Sequence, residues 1–138
     1  MATTAEVLRS VPLFEGMTDR AVEAIAGLAE EVEFPAGSEM TREGYPGESF
    51  IVILAGRATV DVDGRRVRDL SGGDYLGEIS LIDGGPRTAT VTSIESVQAL
   101  IVPRVGFDRL MDEHPAVRLE VLTSLTQRIR QQAPALSD

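Results

Sequence analysis

From Glu31 to Val102 the chain consists of short apolar or alternating runs broken repeatedly by glycine turns, and this pattern limits the fold most. Runs of about 4–8 residues bounded by turn residues read as strands, since a stable helix needs a longer periodic stretch. The expected strands are 31–34, 38–42, 49–55, 57–62, 66–70, 88–94 and 97–102. Between Val60-Asp61-Val62 and Arg66-Val67, the pair Asp63-Gly64 predicts a tight hairpin with positive φ at both turn residues. Phe50-Ile51-Val52-Ile53-Leu54 does not alternate, which suits a strand covered on both faces. Seven or eight such strands imply an antiparallel barrel or jelly-roll-like sandwich.

Helical spacing flanks this region. Residues 3–10 suit one short helix, with Thr3 or Thr4 as its cap and Val7 and Leu8 facing inward. Val11-Pro12-Leu13-Phe14 reads as a connector, because Pro12 disfavours helix before it. A second helix is expected from Thr18 to Ala29, with Thr18 as cap and Met17 and Val22 placed for a hydrophobic staple. After Pro103 the spacing predicts a helix over 104–113 with Phe107, Leu110 and Met111 inward. Pro115 suits a first helical position and opens a longer helix to about Gln132, striped by Val117, Val121, Leu125 and Ile129. The expected organisation is one domain over 1–133: helices in 1–30, a β-roll over 31–102 and helices over 104–132. Residues 134–138 would form a loose tail.

Composition removes several function classes. A chain of 138 residues buries one real core with little room for a second. It has no cysteine, so disulfides and thiolate metal sites are excluded and a reducing cytoplasm is a compatible setting. The first ten residues lack a signal pattern, and Phe50–Ala55 is far too short to span a bilayer. A soluble, cytoplasmic chain without membrane insertion is expected. Net charge of −9 argues against a general nucleic-acid surface, so an anionic ligand must be held by local donors. All 13 basic residues are arginine, which makes any single arginine less informative than its neighbours.

The stretch Gly72–Thr92, GGDYLGEISLIDGGPRTATVT, has the chemistry for that purpose. Gly77 has no Cβ and lets backbone approach a ligand. The residues after it suit a single helical turn, whose first amides point outward and favour an anion. Arg87 adds a planar fork of donors that grips phosphate from two sides. Glu78 fits beside an anion if it binds an uncharged group, for which a sugar hydroxyl is the natural candidate. The combination describes a phosphate clamp with a ribose hook.

Gly73-Asp74-Tyr75-Leu76-Gly77-Glu78-Ile79-Ser80-Leu81, followed by Pro86-Arg87-Thr88-Ala89-Thr90-Val91, resembles the phosphate-binding cassette of cyclic nucleotide-binding domains. The spacing from Glu78 to Arg87 fits that family without a gap. The resemblance implies that Glu78 bonds the ribose 2′-hydroxyl and Arg87 the cyclic phosphate. Gly77, Ile79, Ser80, Thr88 and Ala89 would complete the cradle. Leu76 departs from a common phenylalanine and would loosen the packing beneath the cassette. Ser80 departs from a common alanine and adds a hydroxyl donor. The loop Glu43-Gly44-Tyr45-Pro46-Gly47-Glu48 is similar to a glycine-rich loop of the family, and the helix–roll–helix layout extends the likeness over nearly the whole chain.

The implied function is a cyclic nucleotide sensor, without metal, whose C-terminal helices repack on ligation and act on an effector domain or partner protein. Thr88 in the family can reach the guanine amino group, yet cyclic AMP binders also carry a hydroxyl there. Nothing else in the sequence marks guanine, so the expectation leans to cAMP over cGMP. A base-capping residue would come from the last helix, with Arg128 or Arg130 favoured among Arg128, Arg130, Gln131 and Gln132; a solvated helix end is the plainer role for each. Taken singly, Arg87 reads as a surface strand residue, Glu78 as a helix-start carboxylate, and Ser80 and Thr88 as local caps.

Two other classes fit the sequence less well. A cupin-like enzyme needs clustered histidines, whereas His114 stands alone and suits a helix start, and no nucleophile motif or acid–base pair is visible. An interaction or dimerisation domain with a vestigial pocket conflicts with the intact Gly77, Glu78 and Arg87 set. DNA binding of the related regulator type would need a helix-turn-helix after the long helix, beyond these residues.

Overall fold

At Asp63 and Gly64 the chain reverses with φ of 52° and 77°, the two positive values expected for a tight hairpin turn. The computed structural model describes residues 3–132, apart from the side chains of Glu78, Ile79, Arg128, Ile129, Gln131 and Gln132. These residues form two compact units, one from Leu28 to Phe107 and one combining the segments up to Gly27 and from Asp108 onward.

The first unit is a β-roll of eight antiparallel strands: β1 (Glu30–Phe34), β2 (Glu39–Thr41), β3 (Ser49–Ala55), β4 (Ala58–Val62), β5 (Arg65–Leu70), β6 (Tyr75–Leu76), β7 (Thr90–Ser93) and β8 (Val97–Pro103). They form two four-stranded sheets with orders β1-β8-β3-β6 and β2-β7-β4-β5. The mainly antiparallel roll with flanking helices is therefore the observed fold. The interior combines Met40, Ile51, Ile53, Ala58, Val60, Leu70, Val91, Val97 and Ala99, with Leu76 packed against it. Leu76 thus takes part in the packing beneath the cassette. Phe50 to Ile53 are all buried, which accounts for the absence of alternation in β3.

Two expected boundaries shift. The strand expected over 88–94 is regular only from Thr90 to Ser93, because Thr41 Oγ1 donates to the Ala89 carbonyl at 3.1 Å and Thr88 and Ala89 remain outside the ladder. Tyr75-Leu76, which lies outside the expected strands, forms a two-residue strand beside Ile51 and Val52.

In the helical unit, α1 (Thr4–Arg9) is closed by a capping box in which Thr3 and Glu6 satisfy each other's backbone amides. The expected connector is instead a 3₁₀ turn, Pro12–Phe14, opened by proline, with Leu13 and Phe14 buried. Helix α2 (Asp19–Ala26) is capped by Thr18 and stops at Gly27, short of the expected Ala29. Thr18 also donates its amide and hydroxyl to Glu120, at 2.7 and 3.1 Å. Ser124 donates its hydroxyl to the Leu13 carbonyl.

Helix α3 (Glu78–Asp83) belongs to the roll. Helix α4 (Arg104–Glu113) crosses from one unit into the other between Phe107 and Asp108. Helix α5 (Pro115–Gln132) begins at proline, and the His114 carbonyl accepts from Val117 and Arg118 at 3.0 and 3.1 Å. His114 therefore takes the helix-start role. Val117 and Val121 are buried, Leu125 is half-buried, and Ile129 lies outside the described side chains.

Candidate functional site

Between β6 and β7 the chain makes one short helix flanked by two left-handed glycines, Gly77 at φ 85° and Gly84 at φ 65°. Residues with a Cβ avoid that region, so this entry and exit need glycine. The amides at the start of α3 follow directly from Gly77 and have no intrahelical acceptors. Leu76, Gly77, Ser80, Arg87 and Val91 of the returning strand β7 are among the residues that line a cavity of about 810 Å³.

Arg87 is half-buried against this turn. Its Nη2 donates to the Ser49 carbonyl at 2.8 Å and to Ser49 Oγ at 3.4 Å. Its Nη1 is buried without a hydrogen-bond partner among the described residues. A Cβ built on Gly77 would collide with that Nη1 and approach the Ser49 carbonyl to 2.8 Å. The absent side chain at position 77 is what admits the guanidinium. Burial lowers the Arg87 pKa from its ordinary value, and the charge of Glu48 pulls it partly back. The group remains a cation. A buried cation with an unused donor is a costly arrangement that an anion would relieve.

A second segment holds this frame. The Arg87 amide donates to the Tyr45 carbonyl at 2.7 Å, while the Gly44 amide donates to the Arg87 carbonyl at 2.9 Å. The Gly47 amide donates to Gly85 at 3.0 Å, and Pro46 bridges Pro86. The loop 43–48 is therefore laced along residues 85–87. A Cβ on Gly47 would overlap the Ser80 side chain, so loop and helix meet at this glycine.

Gly77, Ser80, Arg87, Thr88 and Ala89 thus meet at one cavity. Glu78 and Ile79 start α3 beside it, and the positions of their side chains lie outside the description. Arg128 and Arg130 both lie in α5, in the helical unit; Arg130 is exposed and the Arg128 side chain is not among those described. Val60, Val62, Val67 and Leu70 of β4 and β5 give the cavity an apolar wall. Among the described residues no group of three or more histidines, cysteines or carboxylates can hold a metal ion.

The profile of the cyclic nucleotide-binding domain family matches residues 31–114, which include the roll, the cavity and α4. The chain belongs to the cyclic nucleotide-binding domain family. Among its relatives is a CRP-like cAMP-activated global transcriptional regulator of Mycobacterium tuberculosis, 29% identical over 141 residues, covering 96% of this chain and 62% of the relative. Another is a cAMP-dependent protein kinase regulatory subunit of Emericella nidulans, 34% identical over 106 residues, 75% of this chain and 26% of that one. The chain spans less than two thirds of the length of these curated relatives. Among solved structures, the N-terminal domain of a transcriptional regulator from Streptomyces coelicolor A3(2) superposes with a TM-score of 0.81 at 30% identity, covering 96% of this chain and 98% of that one.

Three features of this cyclic nucleotide-binding domain are not apparent from the sequence. Ser49 and Gly47 anchor the cassette from a distant strand and loop, and only the folded chain brings them to Arg87 and Ser80. Arg68 lines the apolar wall. Its separation of two from Leu70 was the available signal, because those two positions share a strand face.

Proposed function

We infer that this domain is a cyclic nucleotide sensor, a binder rather than a catalyst, in which Arg87 takes the cyclic phosphate. The observation that carries this is the buried, unused Nη1 of Arg87 beside Gly77. A single-charged phosphate completes that donor, and the α3 amides and the Ser80 hydroxyl supplement it. Glu78 accepts from the ribose 2′-hydroxyl, Ile79 supplies an amide, and Thr88 and Ala89 close the far side. The purine then lies along the apolar wall of β4 and β5. cAMP is the favoured ligand, supported by the cAMP-linked names of the relatives, and cGMP is the alternative.

Binding at the cassette shifts the population of arrangements of α4 and α5, to the extent that the ligand prefers one of them. The helices, capped over the purine by Arg128 or Arg130, pass the signal to an effector domain or partner protein. Roll and helices act here as one regulatory domain, in the cytoplasm and without direct contact to nucleic acid. No helix among the described residues is long and apolar enough to cross a membrane.

The test is a thermal-shift titration with cAMP and with cGMP. At a hundredfold excess over its dissociation constant, a ligand of the native state adds about 2.7 kcal/mol of stability. A clear rise in melting temperature with either nucleotide, and none with 5′-AMP, is expected. No rise with either cyclic nucleotide would contradict the assignment.

A further inference from the structure

Strands β1 and β5 each close one end of a sheet in the roll unit. Among the described residues β1 pairs with β8 alone and β5 with β4 alone, so each leaves one side of its backbone without a strand neighbour. The two edges carry charge in the same pattern with opposite sign. β1 reads Glu30-Glu31-Val32-Glu33, and β5 reads Arg65-Arg66-Val67-Arg68. All six charged residues are exposed. Glu33 accepts from Ser96 Oγ at 2.8 Å and Arg66 pairs with Asp69, both at the surface. Three of the 13 arginines thus fall within four positions of a chain whose net charge is −9, which makes β5 a local attractor for negative surface.

Charged side chains on an edge strand ordinarily keep other chains from pairing with it. Charge of one sign on both edges would bar every such encounter. Opposite signs repel β1 from β1 and β5 from β5, yet they draw β1 of one copy towards β5 of another. The pattern also sets the direction. Laid parallel, Glu30, Glu31 and Glu33 meet Arg65, Arg66 and Arg68, and Val32 meets Val67. Laid antiparallel, Val32 meets Arg66 and Glu31 meets Val67. β5 is irregular at Val67, which lies between the pairs of Arg66 with Asp61 and Arg68 with Val60. Such a bulge interrupts an edge as a hydrogen-bonding template. Side-chain ion pairs, with the exposed Val67 against Val32, would therefore make the contact in place of a continuous ladder.

We propose that the β1 edge of one molecule docks on the β5 edge of a second copy, parallel and head to tail. The two surfaces differ, so the contact is heterologous and yields an open chain unless its rotation closes a ring. This is independent of the cyclic nucleotide assignment, and Arg65 and Arg66 lie outside the cavity lining.

Exposed ion pairs contribute little each, so the dissociation constant is expected at roughly 0.1–1 mM. The experiment is sedimentation equilibrium of the wild-type protein up to about 1 mM, at about 0.15 M and about 1 M salt. The screening length of about 8 Å at the lower salt damps repulsion between net charges but spares groups in contact, whereas about 3 Å at the higher salt weakens both. The weight-average mass should rise with concentration at the lower salt and stay near that of the monomer at the higher. Glu30→Arg/Glu31→Arg and Arg65→Glu/Arg66→Glu should each be monomeric. Their equimolar mixture should associate again, because the basic β1 of the first meets the acidic β5 of the second. Glu30→Gln/Glu31→Gln removes charge without reversing it and should weaken association roughly threefold to tenfold. A wild type that stays monomeric throughout at the lower salt would overturn the proposal and leave the edge charges as protection against pairing. Association unchanged by the reversals or by the glutamine variant, or a mixture that stays monomeric, would overturn it as well.

Discussion

The Arg87 guanidinium occupies the space that a side chain on Gly77 would fill, and Gly77 is left-handed at φ 85°. Backbone conformation and ligand-holding cation are thus set by one glycine. Gly77→Ala should lose twice. The left-handed strain destabilises the protein by about 1–2 kcal/mol, and the added methyl drives Nη1 from its place. Thermal melts should show a lower Tm, and titration should show nucleotide affinity lowered beyond what that destabilisation explains.

Arg87→Ala separates binding from folding. The substitution removes a buried donor that has no partner among the described residues, so the unliganded Tm should hold or rise slightly. Binding should weaken by ~2–5 kcal/mol, the cost of removing one side of a close charge pair. Arg87→Lys should recover part of the loss, because an ammonium lacks the fork. A Tm lowered as much as the affinity would instead mark Arg87 as a packing residue.

Gly47→Ala tests the strap along residues 85–87. Its methyl would overlap Ser80, and the 43–48 loop must then retreat from the cassette or push α3 aside. Nucleotide affinity should fall although residue 47 donates no side-chain group to the ligand. Removing the Ser80 hydroxyl and Cβ crowding with Ser80→Gly in the same chain should restore part of it. Equal affinity of Gly47→Ala and wild type would mean that the strap does not position the site.

Within the helical unit, Thr18 caps α2 and also meets Glu120 of α5. Thr18→Ala should cost about 1 kcal/mol through the lost cap, measurable by chemical denaturation. If ligation changes the arrangement of α4 and α5, amide hydrogen exchange over residues 104–127 should change on adding saturating nucleotide. Exchange that changes only around residues 77–89 would support binding while removing the proposed output.

Much of the roll was legible because its signals are local. Asp63-Gly64 names its own turn, β3 shows its two-sided cover as an unbroken apolar run, and Pro115 marks the start of α5. The cassette was legible for the same reason, since Gly77, Glu78 and Arg87 lie within one short stretch. What was not legible depends on tertiary partners. Ser49 and Arg87 are 38 positions apart, and their hydrogen bond has no trace in either flanking pattern. Thr88 and Ala89 continue an alternating run, yet Thr41 draws the Ala89 carbonyl away from strand pairing. Leu28 and Ala29 continue a helical apolar pattern, but Gly27 ends the helix first. Arg68 was hidden because all of β5 before Leu70 is exposed, which erases the usual inward–outward contrast.

The central claim is that a cyclic phosphate satisfies Arg87. Isothermal titration of cAMP and cGMP into wild-type protein and Arg87→Ala, side by side, tests it most directly. Saturable one-site binding to wild type, weakened by ~2–5 kcal/mol in the variant, is the expected result. Equal affinity of the two proteins would contradict it.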